Sequence, residues 1–346
     1  MNEILELSIK QAIERIKKAY ESTDGQIYLS FSGGKDSTVL AKLIMMAELP
    51  VSIPFVFANT GIELTAIKDF VTNFEYDNVV IVKPRMPFGK ILKEYGKPTI
   101  SKLKSEMLST YQRHIDEPFS TARTYQLITG LRVKDGEIVE GSTTRLKLAD
   151  KHMHYLHADT EFKIANKCCA YLKKHPFEDF AKDNDMNGYF SGVRVAEGGV
   201  RALKYNSCTS IRKIGSKEYL NSMPIYDWTD EMVEEFIKEY DIELSKAYTV
   251  YGCNRTGCSA CPFAKDVKQE LKILYDYEPK MYKAMMFWLK DVYMYQLVEC
   301  DWDEEYMKEY REFLLVIEAR RKEMAEKFRT PNQEYPQPPQ KTRKEI

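Results

Sequence analysis

The chain has 346 residues, enough for one large domain or two moderate ones, and its 44% hydrophobic content allows a sizeable core. The 51 basic and 52 acidic side chains nearly cancel, so nucleic-acid binding would have to come from local patches. No apolar run approaches the ~20 residues of a membrane span. Because the first residues also lack secretory or transit character, we expect a cytoplasmic protein without a membrane partner.

The first part of the chain alternates helical and strand-like patterns. The predicted elements are a helix at 3–21, a strand at 27–31, a helix at 37–49, a strand at 53–58, a helix at 64–74 and a strand at 79–82. Strands that alternate with helices form parallel sheets with crossover helices. We therefore predict an α/β fold, a parallel sheet with helices on both faces and ligands at the carboxyl ends of its strands.

The later part of the chain is less regular. Residues 96–160 are predicted to form an inserted subdomain, with a hairpin that turns at Asp135-Gly136. A helix is expected from Thr229 to about Tyr240, and 264–329 reads as almost wholly helical. The predicted organisation is an α/β domain at 1–228, a Cys-rich loop and helical domain at 229–329, and a disordered tail at 330–346.

The segment Ser32-Gly33-Gly34-Lys35-Asp36-Ser37, here called the phosphate loop, lies between the first strand and the next helix. A glycine pair there lets backbone N–H groups turn toward an anion, and the helix N-terminus adds partial positive charge. Lys35 supplies a mobile cation, the serines supply hydroxyl donors, and Asp36 suits a magnesium ion on the phosphates. An ordinary capped turn is the alternative, and the spacing differs from that of a Walker A loop.

The seven cysteines form a pair, a cluster and two isolated residues: Cys168 and Cys169, then Cys253, Cys258 and Cys261, then Cys208 and Cys300. Closely spaced thiolates converge readily on one metal centre. Buried, unreactive thiols are the alternative. Because the chain has only one Cys-x-x-Cys pair, an iron–sulfur cluster is favoured over structural zinc, although spacing alone does not decide between them.

Six segments, in order over residues 25 to 265, resemble motifs of the phosphoadenosine phosphosulfate reductase family of PP-loop enzymes. They are Ser32–Ser37, Asn59–Gly61, Cys168–Pro176, Ser191–Glu197, Pro224–Thr229 and Cys258–Cys261. Asn59 stands where the family has Asp. The resemblance implies an adenine nucleotide alpha-hydrolase-like fold and splitting of ATP between its α- and β-phosphates.

The resemblance also assigns roles to individual residues. Lys35, Asp36 and Arg194 would be catalytic. The residues that would bind the nucleotide and its phosphates are Ser30, Ser32, Gly33, Gly34, Lys35, Asp36, Ser37, Asn59, Thr60, Gly61, Gly192, Arg194 and Glu197. ATP and Mg²⁺ are the implied cofactors.

A four-iron, four-sulfur (4Fe-4S) cluster is a further implied cofactor, with zinc as the less favoured metal. By resemblance its ligands would be Cys168, Cys169, Cys258 and Cys261. The additional Cys253 leaves the ligand set open, with Cys253 or Cys208 as alternates. Relatives in DNA phosphorothioation systems carry their cysteines mainly in the downstream cluster.

The chain departs from the assimilatory reductases at its end. Those enzymes carry a Glu-Cys-Gly-Leu/Ile-His motif whose thiolate attacks sulfur, whereas here only Cys300 follows Cys261, in a stretch predicted to be helical. This departure favours a branch that adenylates a substrate for sulfur insertion. A DNA phosphate, a tRNA base or a small molecule would be the acceptor, with a sulfur donor such as a cysteine desulfurase.

A sulfonucleotide reductase and a non-catalytic nucleotide-binding subunit are the alternatives to that function. A homo-oligomer or a subunit of a complex is expected.

Two weaker signals remain. A candidate contact surface for substrate phosphate or nucleic acid is formed by the basic residues Arg201, Lys204, Arg212, Lys213 and Lys217. A solvated basic loop explains this composition equally well. Among the histidines at 152, 154 and 157, alternate residues would share one face of a strand, so two imidazoles could chelate a metal. Surface or hairpin histidines are the favoured interpretation there.

Overall fold

The computed structural model describes residues 3–139, 145–198, 206–328 and 335–339. The chain divides into two compact units, one of Met1–Pro87 with Ala170–Ser259 and the other of Phe88–Cys169 with Ala260–Ile346. The domain boundaries expected from the sequence stay predictions. Of the predicted tail at 330–346, the described residues include only 335–339. No described helix has the length and apolar character needed to cross a bilayer.

The described strands, in chain order, are β1 (Ile27–Ser30), β2 (Phe55–Ala58), β3 (Val79–Val82), β4 (Arg132–Lys134), β5 (Glu137–Val139), β6 (Gly188–Phe190), β7 (Thr209–Ile214) and β8 (Lys217–Ser222). The described α-helices are α1 (Glu3–Ser22), α2 (Lys35–Met46), α3 (Thr65–Thr72), α4 (Phe88–Tyr95), α5 (Lys102–Arg113), α6 (Ala122–Thr129), α7 (His175–Asp183), α8 (Asp230–Glu239), α9 (Lys246–Thr249), α10 (Val267–Tyr277), α11 (Pro279–Tyr295) and α12 (Glu304–Lys327).

The first unit contains a six-stranded sheet in the order β3-β2-β1-β6-β8-β7. All neighbouring strands are parallel except β7, which pairs with β8 in antiparallel fashion at the edge. Leu29 of β1 pairs with Phe55 on one side and Phe190 on the other. The carboxyl ends of these central strands therefore lie at one edge of the sheet, and the predicted parallel α/β fold is confirmed.

Apolar side chains on both faces of β1 and β2 explain why helices cover the sheet on two sides. On one face Tyr28 packs against Phe180 of α7, with ring centroids 5.3 Å apart. On the other face Phe31 packs against Phe74, just beyond α3, at 4.8 Å. Strands that are buried on both faces read as continuous apolar runs, as β2 does with Phe-Val-Phe-Ala.

The second unit is mainly helical and contains the hairpin of β4 and β5. As predicted, this hairpin turns at Asp135-Gly136, where both residues have positive φ (54° and 87°). Helices α10, α11 and α12 account for most of the stretch predicted to be helical at 264–329.

One local prediction is wrong in this unit, and the premise of one less favoured interpretation does not apply. The histidine segment is a 3₁₀-helix, Asp150–Leu156, and not a strand, so the alternation that would place its imidazoles on one face does not apply. Cys300 lies in the loop between α11 and α12 and not inside a helix. This thiol is fully buried, and its burial raises the pKa of Cys300 to about 12.

The imidazole of His154 makes the stability of the protein depend on pH. It is fully buried, its Nε2 lies 2.8 Å from the carbonyl oxygen of Tyr295, and burial lowers the pKa of His154 from 6.5 to about 4. Between pH 6.5 and 4 the unfolded chain takes up a proton at this site that the folded chain does not. The folded state therefore loses stability as the pH falls through this range.

We expect this imidazole to lower the free energy of unfolding by about 2 kcal/mol between pH 7 and pH 5. Urea titrations at both pH values measure the change. His154→Gln should remove that part of the pH dependence, whereas His114→Gln, at a partly exposed histidine, should keep it. An unaltered pH dependence in His154→Gln would contradict the assignment.

Candidate functional site

The phosphate loop follows β1 directly, and helix α2 begins within it at Lys35. Gly33 has φ +65°, and a Cβ at this position would lie 2.7 Å from Cγ2 of Val71. A residue with a side chain would therefore be both strained and obstructed. The glycine lets the chain leave the strand and enter the helix within a few residues, with the helix N-terminus at the carboxyl edge of the sheet.

Two serine hydroxyls close the phosphate loop. The Ser37 hydroxyl donates to the carbonyl oxygen of Gly34 at 2.9 Å and accepts from the backbone N–H of Ser32 at 3.2 Å. The two serine Oγ atoms are 2.9 Å apart. These bonds fix the shape of the loop, and Ser30 ends the strand just before it. Phosphate contact by the serines stays a prediction.

The guanidinium of Arg194 is the most buried charged group near the loop, with 3% of its side chain exposed. Its Nε donates to Oδ1 of Asp36 at 2.8 Å, and its Nη2 donates to Oδ1 of Asp230 at 2.7 Å. Its Nη1 donates to the carbonyl oxygen of Trp228 at 3.2 Å. Burial by itself would lower the pKa of Arg194. The hydrogen bonds and charge interactions with the two carboxylates have the larger effect, so the pKa of Arg194 is raised. Arg194 therefore positions protein groups, and its predicted catalytic role stays a prediction.

The hydrogen bonds of Arg194 join three segments that lie far apart in the sequence. Asp36 lies in the first turn of α2, and Asp230 begins α8 after Thr229, whose side chain accepts from the N–H of Met232. The hydrogen bond from Arg194 lowers the pKa of Asp230. Three of the six sequence motifs thus meet at one guanidinium.

Gly192 allows this approach because its backbone lies against the first turn of α2. A Cβ on Gly192 would be 3.0 Å from the carbonyl carbon of Asp36 and 3.1 Å from the backbone nitrogen of Ser37. Both neighbours are backbone atoms that cannot rotate away. Glu197, the last residue of this motif, falls in a 3₁₀ turn, and its side chain lies outside the described part of the chain.

The segment Asn59-Thr60-Gly61 follows β2 at the same edge of the sheet. The N–H of Thr60 donates to Glu63 at 3.0 Å, the Thr60 hydroxyl donates to the same carboxylate, and the N–H of Gly61 donates to Oδ1 of Asn59 at 3.1 Å. Gly61 has φ +82°, with open space around its Cβ position. The sequence analysis missed Glu63, which holds this turn from three residues beyond Thr60.

Two hydroxyls from a distant segment reach the phosphate loop, and the sequence analysis missed both. The backbone N–H of Lys35 donates to the Tyr248 hydroxyl at 3.0 Å. The Thr256 hydroxyl lies 3.0 Å from that of Tyr248 and 2.8 Å from where a Cβ on Gly34 would be. No local pattern marks them, because their contacts span more than 200 residues of sequence. The Lys35 side chain itself is 24% exposed, with Nζ 3.7 Å from Glu234.

The predicted metal-binding cysteines are divided between the two units. Cys208, Cys253 and Cys258 belong to the first unit, and Cys168, Cys169 and Cys261 to the second. Cys253, Cys258 and Cys261 are partly exposed on a loop, where soft thiolate ligands suit iron–sulfur or zinc chemistry. Among the described residues, no group of three or more His, Cys, Asp or Glu is arranged to hold a metal ion. The cluster stays a prediction.

The basic stretch at 201–217 is partly balanced by acidic partners. Arg212 pairs with Glu178, and Lys213 pairs with Glu218 at 2.9 Å. Lys217 lies over the ring of Tyr219, with Nζ 5.4 Å from the centroid. Arg201 and Lys204 lie outside the described residues. As a surface for nucleic acid, this stretch remains a prediction.

The family follows from comparison with known proteins. The family model of the phosphoadenosine phosphosulfate reductase domain matches residues 26–98 and 100–264, more than half of the chain. The chain belongs to this family. The matched residues include the phosphate loop, Gly192, Arg194 and the segment with Tyr248 and Thr256.

A curated relative, the uncharacterized protein MJ0066 of Methanocaldococcus jannaschii, is 24% identical over 278 residues. That match covers 79% of this chain but 43% of the relative, so the chain spans less than half of the relative's length.

Two solved structures are similar at low sequence identity. The phosphate complex of phosphoadenylyl-sulfate reductase from Candida auris is 12% identical, with a TM-score of 0.42 and coverage of 75% of this chain and 96% of that one. FMN adenylyltransferase of Candida glabrata, bound to FAD and pyrophosphate, is 13% identical, with a TM-score of 0.42 and coverage of 73% and 63%. At TM-scores below 0.5, these likenesses carry no argument about this chain.

Gly192→Ala tests the close approach of the Arg194 segment to α2. Backbone atoms 3.0 Å from the new methyl group must move, so we expect a loss of about 2 kcal/mol in the free energy of unfolding. Gly257→Ala is the matched control, because Gly257 also lacks a positive φ and has nothing within 4 Å of its Cβ position. Equal effects of the two substitutions in urea unfolding would show that the approach is not tight.

Proposed function

We propose that this protein binds ATP at the phosphate loop and adenylates a substrate, with release of pyrophosphate, so that sulfur can then be transferred. The observation that carries the proposal is the start of α2. There a helix N-terminus, a two-glycine turn and the partly exposed cation of Lys35 lie together at the carboxyl edge of a parallel sheet. This combination favours a polyphosphate over a neutral ligand.

In the proposed reaction an oxygen of the substrate attacks the α-phosphorus of ATP. The bond from that phosphorus to the oxygen bridging to the β-phosphate breaks, and the bond electrons leave with pyrophosphate. Backbone N–H groups at the start of α2 and the Lys35 ammonium would stabilise the charge that develops on the leaving group. Asp36 would hold Mg²⁺, which supplies further charge neutralisation, while Arg194 fixes one of the carboxylate oxygens.

The sulfur-transfer part of the proposal rests on the cysteines and on the family. Cys168, Cys169, Cys258 and Cys261 are the proposed ligands of a 4Fe-4S cluster, which would supply sulfur or redox chemistry when bound. A DNA phosphate, a tRNA base or a small molecule is the proposed acceptor, and a cysteine desulfurase is the proposed sulfur donor. Iron and sulfide analysis of anaerobically purified protein tests the cluster directly.

Reduction of an adenylylated sulfate is the second candidate, since the family is named for that activity. Such a reaction needs a mobile, reactive thiolate. After Cys261 the chain offers only Cys300, and its burial raises the pKa of this thiol to about 12. The burial of this thiol argues against Cys300 as the nucleophile of such a reduction. A nucleotide-binding subunit that catalyses no reaction is the third candidate. The presence of both Lys35 and Asp36 favours a catalytic protein over this candidate.

Lys35→Ala tests the proposal through the slow hydrolysis of ATP to AMP and pyrophosphate, with water as the acceptor. We expect a loss of about 100-fold or more, because the leaving-group charge loses its cation. Lys42→Ala, two turns further along α2, is the matched control and should stay within about twofold of the wild-type protein.

Unchanged pyrophosphate release by Lys35→Ala would mean that this loop is not the active site. Wild-type protein that releases no pyrophosphate from ATP but forms sulfite from adenylylated sulfate and a thiol reductant would favour the reductase instead. Thermal unfolding of both variants checks that the fold is retained.

A further inference from the structure

The hydroxyl of Tyr248 lies at the N-terminus of α2. It accepts a hydrogen bond from the backbone N–H of Lys35, the first residue of α2, at 3.0 Å. The N–H groups of a first helical turn have no acceptor inside the helix, so they are the donors that an anion at a helix N-terminus uses. The Tyr248 oxygen therefore stands where a phosphate oxygen would accept this proton.

Thr256 holds the tyrosine in that position. The two hydroxyls are 3.0 Å apart, and both lie close to Gly34, at 3.3 Å (Tyr248) and 2.8 Å (Thr256) from where its Cβ would be. The pair, here called the tyrosine cap, thus lies directly on the glycine turn of the phosphate loop. Burial raises the pKa of Tyr248, so the phenol stays neutral and does not itself act as the anion.

The tyrosine cap belongs to a segment whose two ends are hydrogen-bonded to residues in or just before α3. The Ser245 hydroxyl donates to the carbonyl oxygen of Ala66 at 2.8 Å, and the N–H of Ser259 donates to the carbonyl oxygen of Ile62 at 2.8 Å. Residues 245–259, here called the cysteine segment, are therefore anchored beside α3. Cys253 and Cys258 lie between the anchors, on either side of Thr256.

We propose that the tyrosine cap is an autoinhibitory contact that a di- or triphosphate displaces from the Lys35 N–H. This inference rests on the proposed function, since it assumes that a polyphosphate binds at the phosphate loop. Displacement releases the middle of the cysteine segment while its anchored ends stay in place. Nucleotide occupancy is thereby coupled to the exposure of Cys253 and Cys258.

Tyr248→Phe tests the cap, with inorganic pyrophosphate and ATP–Mg²⁺ as probes in calorimetric titrations of the full chain. Removing the hydroxyl removes the competitor, so we expect both probes to bind about fivefold more tightly, the worth of one hydrogen bond. Thr256→Val, which frees the tyrosine from its anchor, should shift affinity in the same direction. Tyr251→Phe, on the same segment, is the matched control and should leave the affinity unchanged.

Hydrogen exchange of the cysteine segment provides a second readout. ATP–Mg²⁺ should accelerate exchange at residues 248–256 in the wild-type protein, and Tyr248→Phe should show the faster exchange without nucleotide.

If the wild-type protein binds the probes and Tyr248→Phe binds them equally or more weakly, the cap is refuted and the proposed function stands. If neither protein binds either probe, the proposed function fails together with the cap.

Discussion

The buried guanidinium of Arg194 holds the candidate site together. A charge that is 3% exposed carries a desolvation penalty of several kcal/mol unless partners offset it. Here Asp36, Asp230 and the carbonyl oxygen of Trp228 provide that compensation within 2.7–3.2 Å. Removal of any one partner leaves the others with an uncompensated group. The first turns of α2 and α8 are therefore fixed against the segment that follows β6.

The same pairing sets the electrostatics of the phosphate loop. A carboxylate in the first turn of a helix is favourable for the helix, but it repels an incoming phosphate. Since Arg194 neutralises Asp36 from the buried side, the N–H groups of α2 and the Lys35 ammonium keep their attraction for anions. The Tyr248 hydroxyl accepts a hydrogen bond from one of these N–H groups, that of Lys35. The neutral phenol satisfies the donor without adding a charge that a nucleotide would have to displace.

How much of this the sequence predicts depends on how local each interaction is. The phosphate loop and β1 to β3 were predictable, because glycine spacing and apolar runs act over a few residues. The hydrogen bond between Lys35 and Tyr248 joins residues that lie far apart in the sequence, and no local sequence pattern predicts it. The less favoured metal site at the histidines assumed a strand, whereas the segment is a 3₁₀-helix with three residues per turn. The sequence motif predicts Arg194 as a site residue, whereas its pairing with Asp36 and Asp230 can be identified only from the structure.

A double-mutant cycle of Arg194→Gln and Asp36→Asn, followed by the free energy of unfolding, tests the central claim most directly. If the guanidinium holds the phosphate loop through this carboxylate, each single substitution is destabilising. The double variant then loses at least about 1.5 kcal/mol less than the sum of the single losses. Additive losses, with a coupling energy near zero, would mean that the pair does not fix the loop and would contradict this account.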